Sequence, residues 1–120
     1  MCIRDRPEGE PFAVLFADDL VLSKSISCIA QLIQYYESDT MDGVIGIQRI
    51  PKEEVHKYGI TKPKEVITET RGQIDSIVEK PATEDAPSNL TIYGRYILPY
   101  HVLDILSEVQ TGLDLSLIHI

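Results

Sequence analysis

The sequence predicts an α/β fold built on a parallel or mixed sheet. Three observations carry that prediction. Phe12-Ala13-Val14-Leu15-Phe16 is an unbroken apolar run, bounded by Pro11 and by Asp18-Asp19. Its length and lack of alternation suit a strand buried on both faces. Ile26, Ile29, Ala30, Leu32, Ile33 and Tyr36 then recur at helical spacing, and Val44 to Ile50 is a second strand-like run. A strand, a helix and a strand joined by a crossover of this length make a right-handed βαβ unit.

The remaining elements follow in order. Ser23 or Ser25 is placed to cap the helix, and Asp39 to Gly43 ends it. Pro51 suits the first position of a short helical turn over Lys52 to Lys57. Tyr58 to Thr61 opens an extended region. Glu65 to Thr70 alternates, Arg71-Gly72 reads as a turn, and Ile74 to Val78 resumes as a strand. Pro81 to Ser88 is a loop punctuated by Pro81 and Pro87. Leu90, Ile92, Gly94 and Tyr96 fall on one face of a further strand. Pro99 opens a last helix, whose stripe is Val102, Leu103, Ile105, Leu106 and Val109.

Size and charge narrow the function classes. At 120 residues there is room for one domain. The net charge is −8, from 19 acidic and 11 basic residues, with no basic cluster. Such a chain is a poor match for a phosphate backbone, so nucleic acid is not an expected partner. No apolar run is long enough for a membrane span, so a membrane is not expected either. The two cysteines, Cys2 and Cys28, have no zinc-type spacing, and the sparse usage suits a reducing, cytoplasmic setting. Met1 to Arg6 lacks the apolar stretch of a signal peptide. Cys28 is read as a buried inert thiol, and His56 and His101 are given no catalytic role. Residues 1–6 (MCIRDR) and 115–120 (LSLIHI) resemble translated sequencing-adapter read-through and are read as non-native ends around a fragment, residues 7–114.

Three groups could carry chemistry. Asp18-Asp19 follows the first strand, at the end where open α/β sheets bind ligands. A carboxylate there could hold Mg²⁺, which takes few protein ligands. Adjacent residues leave a strand in opposite directions, so one of the pair would face the metal. The plain alternative is a solvated turn. Glu79-Lys80-Pro81 ends a strand. Its carboxylate could accept two sugar hydroxyls and its ammonium could neutralise a phosphate, or the two could be a surface ion pair. In Tyr58-Gly59 the glycine allows close approach of a ligand, or simply a tight turn.

The order of these motifs is more specific than any one of them. Pro11 to Asp19, Tyr58-Gly59, Val78-Glu79-Lys80-Pro81, Ala86-Pro87-Ser88-Asn89-Leu90 and Gly94-Arg95-Tyr96-Ile97-Leu98-Pro99 together resemble the bacterial UTP–glucose-1-phosphate uridylyltransferases. The resemblance covers nearly all of residues 8 to 114 and is most specific from Glu79 to Leu98. It implies a partial Rossmann-like nucleotidyltransferase fold, a mixed sheet flanked by helices, with residues 7–114 the central and C-terminal part of one domain. It also implies the reaction of UTP with glucose 1-phosphate to give UDP-glucose and pyrophosphate. The family's metal-binding aspartate falls on Asp18, with Mg²⁺ the implied cofactor, and Asp19 falls where related enzymes contact a sugar hydroxyl. The sugar-binding glycine falls on Gly59, the sugar-binding glutamate on Glu79 and the phosphate-contacting lysine on Lys80. Ile92 matches a position whose backbone faces the sugar. Asp18 and Lys80 are therefore the expected catalytic residues. Members of the family form homo-oligomers.

Three family features have no match in these residues: the glycine-rich loop with its Arg and Lys for the UTP phosphates, a second metal-binding Asp, and the acidic-Gln-Leu-Thr segment expected just after Gly112. The isolated chain is accordingly expected to be inactive. A thymidylyl- or cytidylyltransferase acting on a hexose 1-phosphate is the nearest rival, and a non-catalytic nucleotide-sugar-binding domain is another.

Overall fold

The computed structural model describes residues 9–38 and 42–108. The expected non-native ends, residues 1–6 and 115–120, the start of the expected helix stop at Asp39, and Val109 of the last helical stripe lie outside them.

The sheet is organised around one central strand, β5 (Leu90–Leu98). Strand β1 (Phe12–Leu15) runs antiparallel to it, with Phe12 opposite Leu98 and Leu15 opposite Arg95. Strand β2 (Val44–Arg49) also runs antiparallel to β5, from Val44 opposite Ile97 to Arg49 opposite Leu90. Because β1 and β2 meet the same residues of β5, they lie on its two edges. The predicted strand–helix–strand unit is therefore present but split. Its two strands are parallel to each other, with an antiparallel strand inserted between them. That insertion joins residues 41 to 86 positions apart in sequence, so no local signal announces it.

Helix α1 (Cys28–Ser38) connects β1 to β2. Its cap is Ser27 rather than Ser23 or Ser25, and the Ser27 hydroxyl accepts the Ala30 N–H at 3.3 Å. Leu32 is buried, Ile29, Ala30 and Tyr36 are half-buried, and Ile33 is exposed; Ile26 precedes the helix and is exposed. Cys28 is half-buried and carries a free thiol. Strand β1 is not buried on both faces as the apolar run suggested. Phe12 is buried, but Leu15 is 53% and Phe16 44% exposed. Among the described residues β1 is an edge strand that pairs with β5 alone, and the α1 side chains Ile33 and Tyr36 meet it at Phe12 and Ala13, away from Leu15 and Phe16.

A 3₁₀ helix spans Lys52–Lys57, with Pro51 as its N-cap rather than its first residue. Strands β3 (Gly59–Thr68) and β4 (Arg71–Glu79) then form an antiparallel hairpin. Its two-residue turn is Glu69-Thr70, not Arg71-Gly72, which open β4 instead. The register slips around Pro63, whose nitrogen has no hydrogen to give the ladder. The Arg71 guanidinium sits 5.5 Å from the Tyr35 ring centroid, so the hairpin turn leans on α1. Helix α2 (Val102–Glu108) starts three residues after Pro99, whose carbonyl accepts the Val102 N–H at 3.2 Å. Val102 and Leu103 are half-buried, while Ile105 and Leu106 are exposed.

β3 meets β5 through a single backbone bridge, Ile60 opposite Thr91. Hydroxyl groups complete that seam. Thr91 Oγ1 donates to the Gly59 carbonyl at 3.1 Å, Thr61 Oγ1 to the Leu90 carbonyl at 3.0 Å, and Ser88 Oγ to the Thr61 carbonyl at 2.6 Å. Ile60, Thr61 and Val55 are fully buried beside it.

Candidate functional site

Side chains alternate along a strand, so Ile92, Gly94 and Tyr96 leave one face of β5. On the opposite face Ile97 shares a cleft of about 210 Å³ with Phe12, Ala13 and the α1 residues Ile33 and Tyr36. The helix thus covers one face and leaves the other to the candidate site.

The first half of the site is the turn that follows β1. The Phe16 N–H donates to the Gly94 carbonyl at 2.9 Å, and the Asp19 N–H folds back on the Phe16 carbonyl at 3.4 Å. Asp19 Oδ2 accepts the Gly94 N–H at 3.0 Å. Only glycine permits this approach: a Cβ at residue 94 would collide with Asp19 Oδ2 and lie 2.7 Å from Phe16 Cβ. The Phe16 ring packs on Tyr96 with centroids 5.6 Å apart and planes tilted by 50°. Burial of the Tyr96 phenol, and then the negative charge of Asp19, raise its pKa above the usual tyrosine value. Asp18 is exposed and makes no hydrogen bond or ion pair among the described residues. The two carboxylates have separated: Asp19 folds over the strand and Asp18 faces solvent.

The second half lies at the β3–β4 end of the same face. Gly59 is buried and stands opposite Glu79 in the hairpin. A Cβ on Gly59 would lie 3.0 Å from Ile92 Cδ1 and 3.1 Å from Glu79 Oε2, so Gly59, Glu79 and Ile92 converge on one spot. The Lys80 N–H donates to the Tyr58 carbonyl at 3.0 Å. Lys80 has φ 44°, a left-handed conformation that costs a non-glycine residue about 1–2 kcal/mol. This kink ends β4 just before the buried Pro81. Lys80 Nζ is 4.0 Å from Glu79 Oε1, and both side chains are largely exposed, so as an ion pair they contribute little. Their carboxylate and ammonium remain open to a ligand.

Ile92 and Gly94 are two residues apart on β5, about 7 Å. The Gly59–Glu79–Lys80 group and the Asp18–Asp19 turn are therefore neighbours along one strand face. Four further residues of the site were not singled out from the sequence: Gly94, under the Asp19 carboxylate; Arg95, which donates to the Phe16 carbonyl at 3.1 Å; Tyr96; and Thr91. The signal available for the first three was the Gly94-Arg95-Tyr96 string itself; Thr91 had none. Among the described residues no three His, Cys, Asp or Glu side chains cluster to hold a metal, and no helix is long and apolar enough to cross a membrane.

The nucleotidyl transferase family model matches residues 1–115. The chain belongs to that family. A UTP–glucose-1-phosphate uridylyltransferase of Bacillus subtilis (strain 168) is 42% identical over 112 residues, which is 92% of this chain and 37% of that protein. The crystal structure of an apo UDP-glucose pyrophosphorylase, 42% identical, superposes with a TM-score of 0.79 over 88% of this chain and 38% of that one. A UDP-glucose pyrophosphorylase complexed with UDP-glucose, 38% identical, gives 0.75 over 89% and 40%. The chain thus spans well under half the length of these nucleotidyl transferases. Over that span it has the α/β nucleotidyltransferase fold with helices beside a sheet, and the split strand pair is part of it.

Proposed function

We propose that this chain forms the sugar-phosphate half of an active site that joins UTP to glucose 1-phosphate, giving UDP-glucose and pyrophosphate. The observation that carries the reading is the convergence of Gly59, Glu79 and Ile92 beside Lys80, on the strand face that also carries the Asp18–Asp19 turn. The relatives named for this reaction support it.

The chemistry asks little of the protein beyond position and charge. A sugar phosphate is already anionic near neutral pH and needs no base. Its oxygen attacks the α-phosphorus of UTP as the bond to pyrophosphate breaks. Buried Gly59 leaves room for a sugar ring against β3. Glu79 accepts paired hydroxyl hydrogens, and an epimer that leaves this carboxylate unpaired is disfavoured. Lys80 neutralises the sugar phosphate as a point charge. Asp18 is the carboxylate left free to hold a divalent cation. A hard cation such as Mg²⁺ keeps several waters and needs one or two carboxylates, which suits a lone exposed Asp better than a closed cluster. When bound, such a cation supplies charge neutralisation at phosphate oxygens. Asp19, held on Gly94, lines the sugar side. The reading places the protein in the cytoplasm and, in its working form, in a homo-oligomer.

Titration of the 120-residue chain with glucose 1-phosphate and UDP-glucose, followed by amide NMR shifts, tests this. Shifts are expected at residues 58–60, 79–80 and 92, lost in Glu79→Gln and weakened in Lys80→Met. Shifts elsewhere, or shifts that survive both substitutions, sink the reading. Competition with the dTDP- and CDP-sugars reports base choice. The same polypeptide is expected to release no pyrophosphate from UTP and glucose 1-phosphate; release that Asp18→Asn abolishes would show the contrary.

A further inference from the structure

The Arg95 side chain ties the turn after β1 to β5 at several points. Arg95 Nη1 donates to the Phe16 carbonyl at 3.1 Å and to the Gly94 carbonyl at 2.7 Å, and Arg95 Nη2 donates to the Asp19 carbonyl. Two of these acceptors belong to the turn that carries Asp18, and the third belongs to the strand. The Asp19 carboxylate closes the tie from the other side by accepting the Gly94 N–H. The backbone alone does less. Strand pairing ends at Leu15 opposite Arg95, and beyond it the turn has the Phe16–Gly94 bond and the longer Asp19–Phe16 bond. A guanidinium suits the task because its planar fork offers several fixed donors to separate carbonyls, whereas an ammonium is a single point.

We propose that Arg95 is a positioning residue: it fixes the Phe16–Asp19 turn on β5 and so holds the Asp18 carboxylate where a phosphate-bound divalent cation meets it. The proposal rests on the reading of Asp18 given above. Arg95 need touch neither substrate nor cation. It acts through the carbonyls on either side of Asp18. A group that orients a metal-binding carboxylate in this way commonly alters metal affinity roughly 10- to 100-fold when it is removed.

Per-residue hydrogen exchange and Mn²⁺ line broadening on the 120-residue chain test this with two separate readouts. In the parent chain the Gly94 amide is protected, and Mn²⁺ broadens the amides of residues 17–19 saturably. In Arg95→Ala the Gly94 amide loses its protection while amides paired between β3 and β4 keep theirs. The Mn²⁺ concentration for half-broadening rises roughly 10- to 100-fold, and Arg95→Lys falls between. Parental Gly94 protection and a parental Mn²⁺ midpoint in Arg95→Ala overturn the proposal, as does an unprotected Gly94 in the parent. A merely structural Arg95 would expose the β3–β4 amides as well. Asp18→Asn separates the two readings. If broadening is absent in the parent or survives that substitution, the metal role of Asp18 fails, and positioning toward a cation fails with it. If Asp18→Asn abolishes broadening and Arg95→Ala changes nothing, only the positioning role fails.

Discussion

A methyl group added at Gly94 meets the Asp19 carboxylate and lies 2.7 Å from Phe16 Cβ, so a carboxylate in a hydrogen bond and a ring stem packed on Tyr96 must both move. Gly94→Ala is therefore expected to lower stability by about 1–3 kcal/mol in urea unfolding. At Gly59 the methyl meets the far ends of Ile92 and Glu79 at 3.0 and 3.1 Å, and both can swing away. Gly59→Ala should change stability by under about 1 kcal/mol yet abolish the glucose 1-phosphate shifts, because the methyl fills the space beside Glu79. Equal losses of stability in the two variants would refute the distinction. Tyr96 adds a pH dependence. Its pKa is raised in the folded state by burial and by the Asp19 charge. The folded state therefore holds that proton more tightly than the unfolded chain does, so the contribution is complete below about pH 10. It is lost as pH rises from there through the raised folded value. Relative to Tyr96→Phe, the parent should lose stability only above about pH 10. A difference that is flat across that range would show the phenol to be insensitive to folding.

The seam between β3 and β5 relies on side chains where most strand pairs rely on backbone. It has one bridge, and the buried hydroxyl of Thr91 holds the Gly59 carbonyl at 3.1 Å. Thr91→Val keeps the shape and removes the hydroxyl that this carbonyl accepts from, at a cost of about 0.5–1.5 kcal/mol. Loosening this seam should also weaken sugar-phosphate binding, since Gly59 and Ile92 lie on its two sides. Calorimetric binding and urea unfolding on the same variant would check both. Hydroxyl lacing of this kind was invisible in the sequence, where Thr91 reads as one more strand residue. What the sequence did show was local: the apolar run of β1, the period of α1, the run of β2, the alternation of β5 and the motif blocks that fall on the site. The hairpin turn is displaced by two residues from Arg71-Gly72 because Gly72 looks like a turn glycine, yet it lies within β4, where a Cβ would come within 2.6 Å of the Glu65 carbonyl oxygen. The insertion of β5 between β1 and β2, and the reach of Arg95 to carbonyls 76 and 79 residues earlier, were not legible. Both depend on long-range pairing, which propensity and spacing do not encode.

Across the whole molecule, buried apolar side chains are few. Phe12, Leu32, Val55, Ile60 and Ile97 make the core of the described residues. Against them stand long apolar surfaces: Leu15 and Phe16 at the end of β1, Val66, Ile67, Ile74, Ile77 and Val78 on the hairpin, and Ile105 and Leu106 on α2. Val66 alone is 75% exposed. Isolated exposed apolar residues are ordinary, but here they fall in runs along single elements, and β1 also has one edge unpaired among the described residues. Such surfaces gain by meeting others, and an unpaired strand edge offers a ladder to join. The 120-residue chain by itself is therefore expected to bind a hydrophobic dye in its native buffer and to self-associate as concentration rises. Lys or Glu at positions 66 and 74 should reduce dye binding and self-association without touching the site on β5. Sedimentation velocity across a concentration series, with dye fluorescence on the same samples, would measure this. A monodisperse monomer with no dye signal and a steep single transition in urea would mean that the small core closes on its own. The apolar hairpin would then be an ordinary solvated surface, and the hydroxyl-laced seam with the Arg95 tie would have to supply more of the cooperativity than their hydrogen bonds alone suggest.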